Sequence, residues 1–478
     1  MDVELSHPIY RIAGAAADAL GVRAYAVGGV VRDYFLQRPC TDIDIVCVGN
    51  GIELARATAL QLHPTKEVAV FKNFGTASFN YVHDGRVWQI EFVGARRESY
   101  VHDSRKPEVE AGTLDDDLRR RDFTINAMAV SINSDTFGQL VDPFGGIRDL
   151  DAGLLRTPLN PDTTYSDDPL RMMRAIRFAS QLQFRIETES FEAIRRNVDR
   201  IAIVSKERVT TELNKILLSP RPSVGLKLMQ LCGLMNLVFP EVSRLKGVES
   251  VGGRSHKDNF YHTMDVVDNV AKVSDNLWLR WAALLHDIGK PATKRYDERL
   301  GWTFHGHEAK GAKMVKRIFE THRLPLDNKM RYVEKLVLLH LRPIILAEDE
   351  VTDSAVRRLL FDAGDDIDDL MTLCEADITS KNEDKVRRYM SNFKLVRRKL
   401  VELEEKDRIR NFQPPVSGED IMRVFALSPC REIGTIKDAI KDAILDGKLH
   451  NDRAECWQYM LQKGAELGLK AADTTLPT

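Results

Sequence analysis

Residues 25–46, YAVGGVVRDYFLQRPCTDIDIV, carry the pattern that decides the fold of the N-terminal part of the chain. An apolar strand leads into Gly28-Gly29, the helical pattern VVRDYFL follows at once, and a second strand begins at Asp42. Glycine lets backbone N–H groups approach a ligand closely, and a helix that starts after such a turn attracts phosphate. The stretch therefore predicts a strand–turn–helix–strand unit with a phosphate-binding turn, although a Gly-Gly pair alone also fits an ordinary tight turn.

Asp42 and Asp44 flank Ile43 on the second strand. Residues i and i+2 of a strand point to the same face, so the two carboxylates converge while Ile43 points into the core. Adjacent carboxylates repel each other unless a cation lies between them, and Mg²⁺ favours carboxylates together with substrate phosphates. A charged edge strand is the structural alternative, but the upstream glycine turn favours catalytic Mg²⁺. Glu91, in the strand-like WQIEFV, is either a third carboxylate of this site or a solvent-facing residue.

The composition of the chain limits the class of protein. Its 478 residues have a formal net charge of −2, with 43% hydrophobic and 29% charged residues. The length predicts about three domains, and the composition excludes a largely disordered chain. The charge excludes binding of polyanions by bulk charge alone, but not segregated basic surfaces. Six scattered cysteines, no secretory signal and no membrane-spanning stretch predict a reduced cytoplasmic protein without membrane contact.

Two kinds of pattern divide the chain. Strand-like segments dominate residues 22–93, whereas helical patterns run from about Asp151 to residue 469. The predicted fold class is therefore α+β, with a small head, built from a mixed sheet and helices, on a long all-α body. Turn-rich stretches predict the domain boundaries: a head (1–150), a helical neck (151–250), a further helical domain (256–390) and a helical C-terminal tail (391–478).

Residues 117–130, DLRRRDFTINAMAV, place several arginines before an apolar run. Arg120 and Arg121 suit bidentate contacts with triphosphate oxygens. Asp122 and Asn126 share one face if this stretch is helical, and can then meet a sugar or phosphate. A capped helix with a solvated basic start is the structural alternative. The following DPFGGIRDL, from Asp142 to Leu150, predicts a hinge or a turn.

Taken together, these motifs resemble motifs A to E of the class II tRNA nucleotidyltransferases, the CCA-adding enzymes, which are close relatives of bacterial poly(A) polymerases. The matching stretches, in order, are GGVVRD, DID, RRDFTIN, DPFGGIRDL, DDPLRMMRAIRF and KERVTTEL, over roughly the first half of the chain. The resemblance implies a polymerase-β-like palm in which Asp42 and Asp44 hold catalytic Mg²⁺. It further implies nucleotide binding by these residues: Gly28, Gly29, Arg32, Arg120, Asp122 and Asn126.

The family selects CTP and then ATP without a nucleic-acid template, through an Asp and an Arg in a motif written EDxxR. Here the motif is DDPLR, with Asp at position 167 instead of Glu, while Asp168 and Arg171 match. An Asp accepts from an exocyclic amine and an Arg donates to ring acceptors, as in the reading of base edges. On a helix these two residues share a face, which Arg174 and Arg177 extend. KERVTTEL, the fifth motif, is expected to brace the neck.

Two features favour complete CCA addition within the family. FKNFGTASFNYV contains the short FGTA pattern of CCA-adding enzymes, and SYVHDSRKPEVEAGTLDD resembles the flexible loop used in switching from CTP to ATP. The resemblance thus implies an ATP(CTP):tRNA nucleotidyltransferase whose partners are CTP, ATP and the acceptor end and elbow of tRNA, with a tail that binds tRNA or a partner.

The body contains a second candidate metal site. His262, His286-Asp287 and Asp377, with HDIGKP around the doublet, resemble the ligand set of HD-domain phosphohydrolases over about residues 256–385. His and Asp ligands suit Ni²⁺, Mn²⁺ or Co²⁺, and His307 and His340 can complete a two-metal site. The domain is therefore expected to hydrolyse phosphomonoesters or 2′,3′-cyclic phosphates on RNA ends. Two alternatives remain for the whole chain: a poly(A) polymerase, and an RNA-binding HD phosphohydrolase with an inactive head.

Overall fold

The computed structural model describes residues 3–62, 66–72, 75–99, 108–251, 254–348, 352–380, 382–407 and 412–476. The FGTA stretch and the loop from Ser99 to Asp116 are only partly included, because Phe74 and residues 100–107 lie outside the described residues. The chain divides into two compact units, one extending to Ser243 and the other starting at Arg244.

The first unit contains a mixed sheet and most of the strands. Its strands are β1 (Arg23–Val27), β2 (Asp42–Val48), β3 (Ala69–Phe71), β4 (Thr76–His83), β5 (Arg86–Gly94), β6 (Arg96–Ser99), β7 (Glu108–Ala111), β8 (Ala129–Ser131), β9 (Leu140–Val141), β10 (Leu154–Leu155) and β11 (Arg185–Ile186). Its helices are α1 (Pro8–Leu20), α2 (Gly29–Phe35), α3 (Gly51–Leu60), α4 (Leu114–Arg119), α5 (Gly146–Asp151), α6 (Pro161–Asp167), α7 (Leu170–Leu182), α8 (Thr188–Asn197), α9 (Lys206–Leu217), α10 (Pro222–Cys232), α11 (Leu234–Val238) and α12 (Pro240–Ser243).

The sheet has the strand order β3-β4-β5-β2-β1-β8-β9. Strands β2 and β5 are parallel, and the other neighbouring pairs are antiparallel. Ile43 and Ile45 are fully buried, whereas Asp42 is exposed and Asp44 is partly buried. This alternation sets the register of β2, because a one-residue slip would bury the carboxylates and expose the isoleucines. The sheet therefore presents both aspartates on one face, as predicted.

Helices supply the rest of the first unit. Helix α7 packs against α9 and α10 and buries Met172, Met173 and Ile176, while Arg171 and Arg174 stay partly exposed. The turn predicted at Asp142 is confirmed, because its carboxylate accepts from the backbone N–H of Gly146 at 2.6 Å and of Ile147 at 3.1 Å. These contacts fix the start of α5.

The second unit is mainly helical. Its helices are α13 (Asn259–Ala271), α14 (Leu277–Leu285), α15 (Lys290–Thr293), α16 (His307–Thr321), α17 (Asn328–Leu339), α18 (Leu341–Glu348), α19 (Asp353–Ala363), α20 (Ile367–Asp377), α21 (Glu383–Asp407), α22 (Gly418–Phe425), α23 (Arg431–Leu445) and α24 (Arg453–Glu466). Its strands are β12 (Ser250–Val251), β13 (Arg254–Ser255), β14 (Arg295–Asp297) and β15 (Gly301–Thr303). Among the described residues, no helix is both long and apolar enough to cross a bilayer.

The α+β class with a mixed-sheet head and a helical body is confirmed. The expectation of an all-α body is wrong in detail, since β10–β11, β12–β13 and β14–β15 form short strand pairs there. Each of these strands has two or three residues, which is too short to produce a visible alternation of polar and apolar residues.

Candidate functional site

A polar cavity of about 450 Å³ opens in the first unit. Part of its wall comes from β2, from the glycine turn and α2, and from the segment that follows α4. The rest comes from Asp168, from α7 and from the first turn of α9. The lining residues are Gly28, Gly29, Arg32, Asp33, Cys40, Asp42, Asp44, Arg120, Arg121, Asp122, Asn126, Asp168, Arg171, Arg174, Phe178 and Arg208. Sequence motifs that are up to about 180 residues apart thus meet at one site.

The sheet brings carboxylates together at the floor of this cavity. Asp44 lies opposite Glu91 in the register of the parallel pair β2–β5. Burial raises the pKa of the Asp44 carboxyl, and Asp42 raises it further against the opposing effect of Arg121. Burial and the charge of Asp44 also raise the pKa of Glu91. Crowded oxygen ligands of this kind fit a divalent cation. Glu91 does not line the cavity, and its role as a metal ligand stays a prediction.

Gly28 allows close packing next to these carboxylates. Its φ is +72°, a conformation that is costly for a residue with a Cβ. A Cβ at this position would also lie 2.8 Å from Nη1 of Arg121 and 3.8 Å from Oδ2 of Asp44. A residue with a Cβ would therefore strain the turn and require the Arg121 guanidinium to shift.

Asp117 is a site residue that the sequence analysis did not identify. Its side chain is fully buried and accepts from Arg120, at 3.0 Å from Nε and 2.5 Å from Nη2, and from Arg121, at 3.2 Å from Nε and 3.0 Å from Nη2. Although burial opposes ionisation, the two guanidinium groups hold the pKa of Asp117 below its usual value. The i−3 and i−4 spacing to two cavity arginines was the available signal.

Asp122 and Asn126 lie together, although the stretch that contains them is not the α-helix on which their shared face was conditional. Residues Thr124–Asn126 form a 3-10 turn shortly before β8. Asn126 Nδ2 donates to Asp122 Oδ1 at 2.9 Å, and Arg174 Nε donates to Asp122 Oδ2 at 2.8 Å. Burial opposes ionisation of Asp122, yet Arg174 lowers its pKa to about 2.

Arg32 extends this network. Its Nη1 donates to Asn126 Oδ1 at 2.8 Å, and its Nε and Nη2 donate to Asp33 at 2.9 Å each. The guanidinium also lies over the Phe178 ring at 5.0 Å. The orientation of Asn126 is therefore fixed from two sides, by Arg32 and by Asp122.

Asp168 and Arg171 face the same cavity from adjoining elements. The expectation that they share one helical face is wrong, because Asp168 is the residue that caps the C-terminus of α6 and precedes α7. Asp168 Oδ1 accepts from Leu170 N at 3.3 Å. Arg171 Nη2 donates to the carbonyl of Arg120 at 2.5 Å and Nη1 to that of Thr164 at 3.4 Å. The intervening Pro169 starts the new helix and separates the two positions.

Arg177 is the member of the predicted nucleotide-binding set that does not line the cavity. It is 8% exposed, its Nε lies 2.5 Å from Oε2 of the buried Glu212, and its guanidinium lies 4.0 Å from the Phe178 ring centre. It therefore joins α7 to α9. Arg208, one turn before Glu212, lies in the cavity wall instead, although its motif was expected only to brace the neck.

The second unit brings His262, His286, Asp287 and Asp377 together. His262 Nε2 lies 2.8 Å from Asp377 Oδ1 and 3.5 Å from Asp287 Oδ2, and His286 Nε2 lies 3.2 Å from Asp287 Oδ2. His286 and Asp287 directly follow α14, Asp377 is the last residue of α20, and His262 lies in the first turn of α13. His262, His286 and Asp287 form a group that could hold a metal ion.

A second such group shares Asp287 with the first. His307 Nε2 lies 3.3 Å from Asp287 Oδ1, and His340 Nε2 lies 4.0 Å from the same oxygen. The two imidazole Nε2 atoms are 3.3 Å apart. Asp287, His307 and His340 thus make another metal-capable set, so that one carboxylate lies between two candidate metal positions. His305 is exposed, on the segment just before α16.

The hydrogen bonds of the imidazoles fit a role as metal ligands. His286, His307 and His340 each place Nδ1 within 2.8 Å of a backbone carbonyl, those of Ala283, Phe304 and Val337 respectively. Because a carbonyl only accepts, such bonds favour the tautomer with the proton on Nδ1, which leaves the Nε2 lone pair available for a metal. The nitrogen and oxygen donor set suits a first-row divalent metal. Lys290 Nζ lies 2.6 Å from Asp287 Oδ2 and compensates its buried charge.

Comparisons with known families agree with the geometry. Residues 24–156 match the Poly A polymerase head domain, residues 183–245 match the family described as probable RNA and SrmB-binding site of polymerase A, and residues 259–382 match the HD domain. The first range contains the carboxylate pair, the second contains Arg208, and the third contains all six HD-type ligands.

Curated relatives and solved structures point the same way. A multifunctional CCA protein of Pseudomonas aeruginosa is 33% identical over 322 residues, 64% of this chain and 72% of the relative. The A-adding tRNA nucleotidyltransferase of Deinococcus radiodurans is 33% identical over 341 residues, 69% of this chain and 75% of the relative. The fold is shared with a Thermotoga maritima CCA-adding enzyme in complex with tRNA, at a TM-score of 0.61 and 23% identity, covering 98% of this chain and 99% of that one. The chain therefore belongs to the family of tRNA nucleotidyltransferases and poly(A) polymerases, as a nucleotidyltransferase that also carries an HD domain.

Proposed function

We propose that this enzyme builds or repairs the 3′-terminal CCA of tRNA from CTP and ATP, without a template and with release of pyrophosphate. The observation that carries the proposal is the single cavity that combines the carboxylates Asp42 and Asp44 with Asp168 and Arg171. The first pair suits nucleotidyl transfer, and the second pair suits reading a base edge. We assign the head to residues 1–150, the nucleotide-selecting and tRNA-binding neck to 151–250, the HD domain to 256–390 and the tRNA- or partner-binding tail to 391–478.

Each group in the cavity has a role in this proposal. Asp42 and Asp44 would hold Mg²⁺, which, when bound, activates the attacking hydroxyl and neutralises the leaving pyrophosphate. Arg120 and Arg121, held by Asp117, would orient the triphosphate next to Gly28 and Gly29, while Arg32, Arg174, Asp122 and Asn126 would hold the sugar. Catalysis would rest on positioning and charge stabilisation, as is usual for phosphoryl transfer.

Selection of the base would depend on Asp168 and Arg171. Cytosine and adenine each present an exocyclic amine that a carboxylate accepts and a ring nitrogen that a guanidinium contacts. Neither guanine nor uracil presents an exocyclic amine next to an acceptor ring nitrogen in the same arrangement. Arg171 is held by two backbone carbonyls, which restricts the angle at which its donors meet a base.

An A-adding enzyme is the second candidate, because one of the similar relatives has that activity. A tRNA that ends before the CCA sequence separates the two candidates when CTP is the only nucleotide. Complete CCA addition predicts two added cytidines, whereas an A-adding enzyme leaves this RNA unchanged. A tRNA that already ends in CC is the matched control, since both enzymes extend it with ATP. A poly(A) polymerase would instead give an A-only ladder.

We further propose that the HD unit is a metal-dependent phosphohydrolase for phosphomonoesters or 2′,3′-cyclic phosphates on RNA ends. The support is the pair of metal-capable groups that share Asp287. Ni²⁺, Mn²⁺ or Co²⁺ would be held by His262, His286, Asp287 and Asp377, with His307 and His340 at the second position. The test is hydrolysis of 2′,3′-cyclic nucleotides with each metal in turn, together with metal content. Failure with all three metals in a protein that does bind metal would leave the domain as a scaffold.

A further inference from the structure

Arg208 differs from the other arginines that line the cavity of the first unit. Arg32 pairs with Asp33, Arg174 pairs with Asp122, and Arg120 and Arg121 pair with Asp117, while Arg171 donates to two carbonyls. Within the part of the chain that the structure describes, the Arg208 guanidinium makes no ion pair and no hydrogen bond. It is an exposed cation in the wall of a polar cavity, without a counter-charge from the protein.

The position of Arg208 is nevertheless well defined. It lies in the first turn of α9, and Glu212, one turn further along the same face, pairs with Arg177 of α7 at 2.5 Å. Side chains four residues apart lie above one another on a helix, so this buried pair anchors the face of α9 from which Arg208 enters the cavity wall. The backbone that carries the cation is therefore fixed, and only the side chain has freedom.

The chemistry of this position fits a phosphate group. A guanidinium offers a planar fork of donors that matches two phosphate oxygens. The proposed triphosphate position lies against Gly28, Arg120 and Arg121, which line the sheet side of the cavity. Arg208 enters the cavity wall from α9, within the range that matches a family described as a probable RNA-binding site, whereas Gly28, Arg120 and Arg121 belong to the range that matches the head domain. A phosphate of the RNA chain therefore fits Arg208 better than a phosphate of the incoming nucleotide, whose proposed contacts come from the head residues.

We propose that Arg208 binds a backbone phosphate close to the 3′ end of the RNA that enters the cavity. The proposal rests on the proposed function in so far as the RNA end must lie in this cavity. Arg208 would hold the primer strand in place while Asp168 and Arg171 meet the base of the nucleotide. It would act on RNA affinity and not on the choice between CTP and ATP.

The experiment is equilibrium binding of a tRNA acceptor-stem minihelix to the full chain and to the Arg208→Ala variant, over a range of salt concentrations. Loss of one charge-assisted contact predicts about tenfold weaker binding. The slope of log K against log salt concentration should also become less steep by about one. Lys206→Ala is the matched control, because Lys206 is an exposed cation of the same helical turn that does not line the cavity. The Lys206→Ala variant should keep most of the wild-type affinity for the minihelix.

A modified RNA identifies the contact. A single neutral methylphosphonate is placed in turn at each of the last three linkages of the minihelix. At one linkage it should weaken wild-type binding about tenfold and leave binding to Arg208→Ala unchanged, as for two partners of one interaction. The Arg208→Lys variant should recover part of the affinity and the salt dependence.

Three results would overturn the proposal: wild-type affinity and salt dependence in Arg208→Ala, equal sensitivity of both proteins to every methylphosphonate, or a higher KM for ATP with unchanged RNA affinity. A parallel extension assay on wild-type protein keeps the two proposals separate. Absence of cytidine and adenosine addition there would contradict the proposed function, whereas the binding data would still decide the role of Arg208.

Discussion

At the scale of the residue, Asp117 positions two arginines of the cavity although it does not line the cavity itself. It is completely buried and holds the two guanidinium groups proposed to orient the triphosphate. Asp117→Asn should lower kcat/KM for nucleotide about 10- to 100-fold, mainly through KM, because Arg120 and Arg121 lose their common anchor. Asp115→Asn is the matched control, since Asp115 pairs with Arg119 on the same helix at an exposed site. Steady-state kinetics in both variants test this, and equal losses would contradict it.

Asp122 gives a prediction about pH. Its folded pKa of about 2 lies below the ordinary value of 3.8, so the carboxylate contributes about 2 kcal/mol that is fully present above pH 4 and is lost as the pH falls towards 2. Asp122→Asn should therefore be less stable than wild type at neutral pH, with a difference that shrinks below pH 4. Urea unfolding at pH 7, 4 and 3 measures this difference. A difference that does not change with pH would contradict the ionised pairing with Arg174.

At the scale of the element, a buried ion pair between Arg177 and Glu212 joins α7 to α9. Glu212→Ala leaves Arg177 buried without its partner and should cost about 3–5 kcal/mol of unfolding free energy. The double variant Arg177→Met, Glu212→Leu removes both charges and should recover most of this loss. Chemical denaturation of the three proteins provides the comparison. A double variant as unstable as the single one would show that the pair is not what joins the helices.

The same elements show what the sequence could and could not predict. Alternation in DIDIV predicted the register of β2 and hence the convergence of Asp42 and Asp44, because burial of Ile43 and Ile45 leaves one solution. Helical spacing equally predicted α7 and α9. The sequence could not separate Arg174, which reaches the cavity, from Arg177, which pairs with Glu212. That difference depends on how α9 packs against α7, a contact between helices that local spacing does not encode.

Irregular backbone caused the remaining errors. The shared face of Asp122 and Asn126 was conditional on an α-helix, and Asp168 was expected on the same helix as Arg171, but a 3-10 turn and the break before Pro169 intervene. The residues still meet, through Asn126–Asp122 and through the shared cavity. Motif resemblance identified which residues come together, while the turns that bring them together depend on tertiary contacts.

At the scale of the whole molecule, the two candidate centres lie in separate compact units. Asp42→Ala should abolish nucleotide addition and spare metal binding and hydrolysis by the HD unit. Asp287→Ala should do the reverse, since its carboxylate belongs to both metal-capable groups. Extension assays, cyclic phosphate hydrolysis and metal content on both variants test this independence. Loss of both activities in either folded variant would contradict it.

The formal net charge of −2 is consistent with this division of labour. The cavity of the first unit is lined by both arginines and aspartates, and most of these arginines are paired with carboxylates of the protein. Binding of RNA then depends on a few placed cations and not on bulk charge.

The sequence of the product ends tests most directly whether this cavity carries out CCA addition. A tRNA transcript without CCA is incubated with this protein and Mg²⁺, together with CTP alone, ATP alone or both, and the 3′ ends are sequenced. Addition of CC with CTP alone and of CCA with both nucleotides is the predicted result, with no extension by Asp44→Asn. An A-only product, or an unchanged RNA in the presence of both nucleotides, would contradict the assignment of this cavity to CCA addition.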